Sequence, residues 1–161
     1  MNLTIAAIAA YAAAMIAANL SVATFGPWVS PINAFILIGL DLALRDWLHV
    51  RLRIWQMGVL IAGTGVLTYL LNPAAGQIAV ASSVAFTAAA LVDWTTFAKL
   101  RGTWLLRANG SNVAGAAVDS LVFPTLAFGA LMPQIVLAQF AAKVAGGAIW
   151  AYIFNRSRQC N

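Results

Sequence analysis

The chain has 161 residues, 63% of them hydrophobic and 8% charged, with a net charge of +5 and a mean hydropathy of +0.88. A soluble domain is about 45–50% apolar and about 25% charged, so this composition excludes a water-soluble globule and makes a bilayer the solvent. All four acids are aspartates (Asp41, Asp46, Asp93, Asp119), set against nine Lys and Arg; an ionised group in hydrocarbon costs several kcal/mol, so each needs a reason for its depth.

A spanning helix takes about 20 apolar residues at about 1.5 Å each. Six such stretches are predicted, at 3–25, 31–48, 54–71, 75–98, 111–131 and 134–154, which make residues 1–161 a single all-α transmembrane domain, a compact six-helix bundle. In the first span Ala6, Ala10, Ala14 and Ala18 recur every four residues, flanked by Ala9, Ala13 and Ala17. Small residues at that spacing let backbones approach closely, in an internal helix contact, a homo-oligomer or a docking face for an energy-coupling membrane subunit. Its length and its lack of a basic start mark it as a retained helix rather than a cleaved signal.

Gly26 and Pro27 end the first span, and Ser30 caps the second with Pro31 at its first helical position. Ten residues inside that span, about 15 Å down, lies Asp41, with Arg45 one turn further on the same face. Asn72 and Pro73 stop the third span. In the fourth, Asp93 lies six residues before Lys99 and is expected in a salt bridge near the cytoplasmic interface. The fifth carries Ser111, Asn112, Gly115, Asp119 and Phe123 at offsets of one and two turns, with Ser120 and Thr125 nearby. Pro133 opens the sixth span, which holds Lys143.

Three turns, at 26–30, 72–76 and 131–134, contain no charge, whereas eight of the nine cations flank the opposite connections and the C-terminus. The positive-inside rule then puts both termini in the cytoplasm. His49, alone in a basic loop, reads as a solvated or headgroup contact, and Cys160, the only cysteine, leaves no internal disulfide or cysteine metal site. The six tryptophans fall mostly near span ends, as an aromatic belt does, although any of them could stack on a ligand.

Asp119 and Lys143 lie twelve residues before and after Leu131, so an antiparallel hairpin brings them level, near the bilayer middle and level with Asp41. Asp119 with Lys143 and Asp41 with Arg45 could pair merely to neutralise buried charge. Intramembrane ionisable groups more often mark a substrate or ion path, and a midplane pocket is where secondary transporters bind. Spans one to three and four to six also make two halves of opposite orientation with an aspartate on each middle helix, the pattern of a 3+3 inverted repeat.

The stretch from Pro31 to Asp46, the segment from Arg107 to Phe123, and Gln139-Phe-Ala-Ala-Lys143 resemble the queuosine precursor transporter family, also called the vitamin uptake transporter family. Asn19 fits that family's early asparagine, while Ala116 and Arg45 stand where Gln or Asn and Glu are common. The resemblance implies a multi-pass inner-membrane importer of 7-deazaguanine bases, typically 7-cyano-7-deazaguanine, and marks Asn19, Asp41, Arg107, Ser111, Asp119, Ser120 and Lys143. The residues suit that ligand. A guanine-like edge offers two parallel donors, which the carboxylate of Asp119 or Asp41 can accept with both oxygens. Asn19 and Ser120 would bind the carbonyl side, Ser111 and Asn112 continue the polar stripe, Lys143 balances charge and Phe123 or a tryptophan stacks on the ring. Arg45, Asp93 and Arg107 read as structural or gating charges.

The expected partners are thus a purine-like base and the lipid bilayer, with no nucleic acid, cofactor or metal required. There is no phosphate-cradling loop, so import would be facilitated, proton-coupled through an aspartate, or ATP-driven through partner subunits. A substrate-binding subunit of an energy-coupling-factor transporter is one alternative, and a non-transporting scaffold or holin-like protein another. An enzyme is not expected, since no nucleophile, base and orienter come together.

Overall fold

The computed structural model describes residues 3–49 and 51–159. The side chains of Asp46, His49, Arg156 and Arg158, and all of Cys160, lie outside the described residues.

Helix α1 runs from Leu3 to Phe25 and stops at Gly26, whose φ of 80° turns the chain into a 3-10 turn at Pro27–Val29. The second span is one continuous rod in three parts: α2 (Ser30–Asn33), a π-helical segment (Ala34–Ile38) and α3 (Gly39–His49). Helix α4 (Ile54–Leu71) opens where the Gln56 side chain accepts the Arg53 N–H at 2.7 Å, and closes where Asn72 Oδ1 accepts the Ala74 N–H at 3.1 Å. After a 3-10 turn at Pro73–Ala75 come α5 (Gly76–Lys99), α6 (Trp104–Phe128) and α7 (Pro133–Gln159). Six stretches are long and apolar enough to cross a membrane, at Leu3–Phe25, Pro27–Arg45, Ile54–Leu71, Pro73–Lys99, Trp104–Phe128 and Pro133–Phe154.

These agree with the predicted spans except in two places. The fifth helix begins at Trp104, seven residues before the predicted Ser111, and ends at Phe128. Thr103 caps it by accepting the Leu106 N–H at 3.3 Å, and Gly129 ends it in the left-handed region at φ 70°. Arg107 therefore sits in its first turns rather than in a loop, and folds back to donate twice to the Phe97 carbonyl at 2.9 and 3.1 Å, with its guanidinium over the Phe97 ring. A charge satisfied by the preceding helix does not stop the next one. The second departure is the π segment, which no hydropathy pattern encodes.

That π segment has a partner. Gly39 lies so close to Gly146 and Gly147 of α7 that a Cβ there would stand 2.7 Å from the Gly146 carbonyl carbon, and a Cβ on Gly146 would overlap the Phe35 carbonyl oxygen. The second span and α7 thus cross backbone against backbone, as small residues allow in membranes. Around the bundle each helix packs on the next in the order α1, α3, α7, α6, α5, α4 and back to α1, a closed ring. Short turns make sequential neighbours such as α5 and α6 antiparallel. The ring's interior is apolar at two places, around Tyr11, Met15, Leu42, Met57 and Phe86, and around Val22, Ile78, Phe123 and Ala127. Its outside carries exposed Leu, Ile and Val, as a lipid-facing surface must.

In α1, Ala14 and Ala18 face inward, while Ala9, Ala10, Ala13 and Ala17 are exposed. The alanine repeat thus serves both an internal contact and an outer face.

Candidate functional site

Asp119 and Lys143, predicted to share a level, form an ion pair of 2.7 Å inside the ring, with both residues buried. Helix α6 supplies Asp119 and Ser120, and α7 supplies Lys143 and, one turn earlier, Gln139. The Lys143 ammonium donates to Asp119 Oδ2, to Gln139 Oε1 at 2.7 Å and to Ser120 Oγ at 3.2 Å. An ammonium has three N–H donors, and all three are satisfied. The network continues as Gln139 Nε2 donates to Ser30 Oγ at 2.6 Å, which ties α7 to the start of α2.

A cavity of about 20 Å³ lies against this network, lined by Asn19, Asn33, Phe86, Asp119, Phe123, Gln139 and Lys143 among others. That is room for about one water, so the polar site is closed. Asn19 donates to Thr68 Oγ1 at 3.5 Å, and Asn33 to Ser21 Oγ at 2.6 Å, which fixes both amides at the cavity wall. Of the expected site residues, Asn19, Asp119, Phe123 and Lys143 line this cavity, and Ser120 joins through its bond to Lys143.

The others lie elsewhere. Ser111 turns its hydroxyl to the Ala108 carbonyl of its own helix at 3.2 Å. Asn112 is buried beside Gly147, and neither side-chain atom has a hydrogen bond. Arg107 is spent on Phe97, away from the cavity. Asp41 is wholly buried on α3, outside the cavity lining, beside the Tyr11 hydroxyl of α1.

One pairing differs from the simplest expectation. Asp93 forms a salt bridge, as expected, but inside the bundle: it is 1% exposed and pairs with Arg45 at 3.5 Å. Arg45 accordingly reaches Asp93 on α5 rather than closing on Asp41 one turn away in its own helix. Gly115 of α6 packs on this pair, since a Cβ there would lie 3.2 Å from both Arg45 Nη2 and Asp93 Cβ. Sequence spacing favours i,i+4 neighbours, but the inward turn of α5 offers a carboxylate opposite.

Beside Arg45 and Asp93 lies a second, larger cavity of about 430 Å³, between the start of α4 and the end of α5, with Leu52, Arg53, Met57, Ile61, Leu91 and Trp94 in its walls. The interior thus holds a small polar cavity, the buried Asp41 and the Arg45–Asp93 pair, and a larger, mainly apolar cavity. Gln139, Ser30, Asn33 and Phe86 were not expected as site residues, although Gln139 heads a segment that carries the family resemblance and Ser30 was read as a helix cap. Gln139 had a readable signal, since it precedes Lys143 by four residues and must share its face; the other three meet the site only through the folding of the ring.

No curated protein and no solved structure matches the chain. Residues 2–155 match the sequence model of the vitamin uptake transporter family. With that match over nearly its whole length and six helices fit to span a bilayer, this multi-pass membrane protein belongs to the vitamin uptake transporter family.

Proposed function

We propose that this protein imports a queuosine precursor, 7-cyano-7-deazaguanine or a related 7-deazaguanine base, across the cell's inner membrane, with both termini in the cytoplasm. The observation that carries this reading is the Lys143–Asp119–Gln139 network at the wall of a small cavity that Phe86 and Phe123 also line. A deazaguanine edge presents an N–H and an amino group side by side, a match for a carboxylate that keeps one oxygen on Lys143. Gln139 and Asn19, each with one amide N–H beyond its present bond, supply donors for the ring carbonyl, and Phe86 and Phe123 supply apolar faces for the flat ring. Binding requires the cavity to enlarge well beyond one water, as expected of a carrier that closes when empty.

Purified protein tested with a panel of nucleobases should gain thermal stability with 7-deazaguanines and not with pyrimidines. No shift with any purine-like base overturns the reading. Asp119→Asn should abolish uptake in cells while the protein still inserts and folds; normal uptake by that variant removes Asp119 from the site.

The outward row Ala9, Ala13 and Ala17 favours a second arrangement, in which the same site serves as the binding subunit of an energy-coupling complex that docks on α1. Uptake by the pure protein in liposomes would exclude the need for such a partner.

A further inference from the structure

Among the described residues, three acids (Asp41, Asp93, Asp119) and two bases (Arg45, Lys143) are buried inside the ring. Arg45 pairs with Asp93 and Lys143 with Asp119, and Asp41 is in neither of these ion pairs. It is 0% exposed, takes part in neither ion pair, and has the Tyr11 hydroxyl of α1 as its hydrogen-bond neighbour. An ionised carboxylate in such a place is heavily penalised, whereas a carboxylic acid is not.

The groups facing Asp41 come from every side: the Tyr11 hydroxyl of α1, Arg45 one turn along α3, Asp93 of α5, Asp119 of α6 and Lys143 of α7. Asp119 and Lys143 are walls of the polar cavity, and Arg45 and Asp93 are walls of the larger one. Along the second span, Ile38 three residues before Asp41 is a wall of the first cavity and Arg45 four residues after it is a wall of the second, so Asp41 stands between the two spaces and lines neither. The buried Tyr11 hydroxyl sits against Asp41 and can donate to the carboxylate or accept from the acid.

We propose that Asp41 is a proton-binding site that couples import to the proton gradient, one proton entering with each base. This inference rests on the base-import reading. A proton from the outer side adds to a carboxylate oxygen of Asp41 when the polar cavity is open outward, giving the neutral acid. The loaded protein rearranges with this neutral acid, and the empty protein returns with the carboxylate, whose charge Arg45 and the Tyr11 hydroxyl offset. On the inner side the proton leaves past Arg45 into the larger cavity and regenerates the carboxylate. No other bond changes, and a neutral base plus one proton moves one positive charge inward per cycle.

The test uses the full-length protein in liposomes with 7-cyano-7-deazaguanine as the probe. Wild type should concentrate the base above equilibrium when the outside is made acidic, should do so faster with an inside-negative potential, and should alkalinise a weakly buffered external medium. Asp41→Asn should equilibrate the base without concentrating it and without moving protons, while Asp41→Glu should restore gradient-driven accumulation. If the base stabilises the wild type but its uptake ignores the pH difference, or if Asp41→Asn still concentrates it, the proton inference is overturned and the base reading stands. If no base stabilises the protein, the base reading fails instead. Infrared spectra then decide about Asp41 alone: a protonated-carboxyl band that Asp41→Asn removes upholds the proton site, and its absence overturns it.

Discussion

At the scale of single residues, the interior is governed by which charges have partners. Lys143 has three acceptors in reach and is the donor hub of the polar site. Replacing it with Met strands Asp119, and removing one partner of a buried pair costs about 3–5 kcal/mol. Lys143→Met should thus lower the unfolding midpoint, and adding Asp119→Leu should return much of the loss; equal midpoints for the single and double variants would refute this account. The level of this pair was legible in the sequence, because counting twelve residues either side of a turn needs only the helical rise. The partner of Arg45 was not. Its own helix offers Asp41, and only the packing of α5 shows that Asp93 is nearer to its guanidinium. The separation of Asp41 and Asn112 from the closed cavity was likewise hidden, since a stripe on a helix says which face is polar and not which neighbour it meets.

At the scale of elements, five of the six spans were readable from apolar length and their stop signals at Gly26, Asn72 and Pro133. The start of α6 was missed because Arg107 looks like the end of a membrane segment when its partner on α5 is unseen. The π segment escaped as well, since its cause lies in α7. Gly39 and Gly146 meet without room for side chains. Gly146→Leu should push α7 off the second span and destabilise the protein by about 1–3 kcal/mol or more, as overpacking does. Gly58, with nothing near its missing Cβ, provides the control; Gly58→Ala should leave the melting temperature within a degree or so of wild type, by the usual size of surface changes. Comparable losses at both positions would show that the crossing is not tightly packed.

At the scale of the whole molecule, the number of spans followed from composition, but the order of the ring did not. Six similar apolar helices can be arranged around a centre in many ways, and the choice is made by small and polar residues few in number: Gly39 against Gly146, Arg45 against Asp93, Lys143 against Asp119. Orientation rests on the uneven distribution of cations. Single cysteines introduced in a Cys160→Ser background can read it directly. Trp28→Cys, at the uncharged turn end, should react with an impermeant maleimide from outside intact cells, and Arg101→Cys only after lysis. The reverse pattern would invert the protein and with it the direction of import.

The seam between α4 and α5 has a pharmacological consequence. Its cavity of about 430 Å³ has exposed Ile54, Gly58, Leu91 and Trp94 in its walls beside Arg53, so it opens on the outer face of the bundle where an apolar wall meets the charged connection. A membrane-dissolved compound can reach it by diffusing in the plane of the bilayer, without competing for the polar site. Blockers of this kind should follow oil–water partitioning rather than resemblance to the substrate, and should lower the maximal rate while leaving the apparent affinity for the base unchanged.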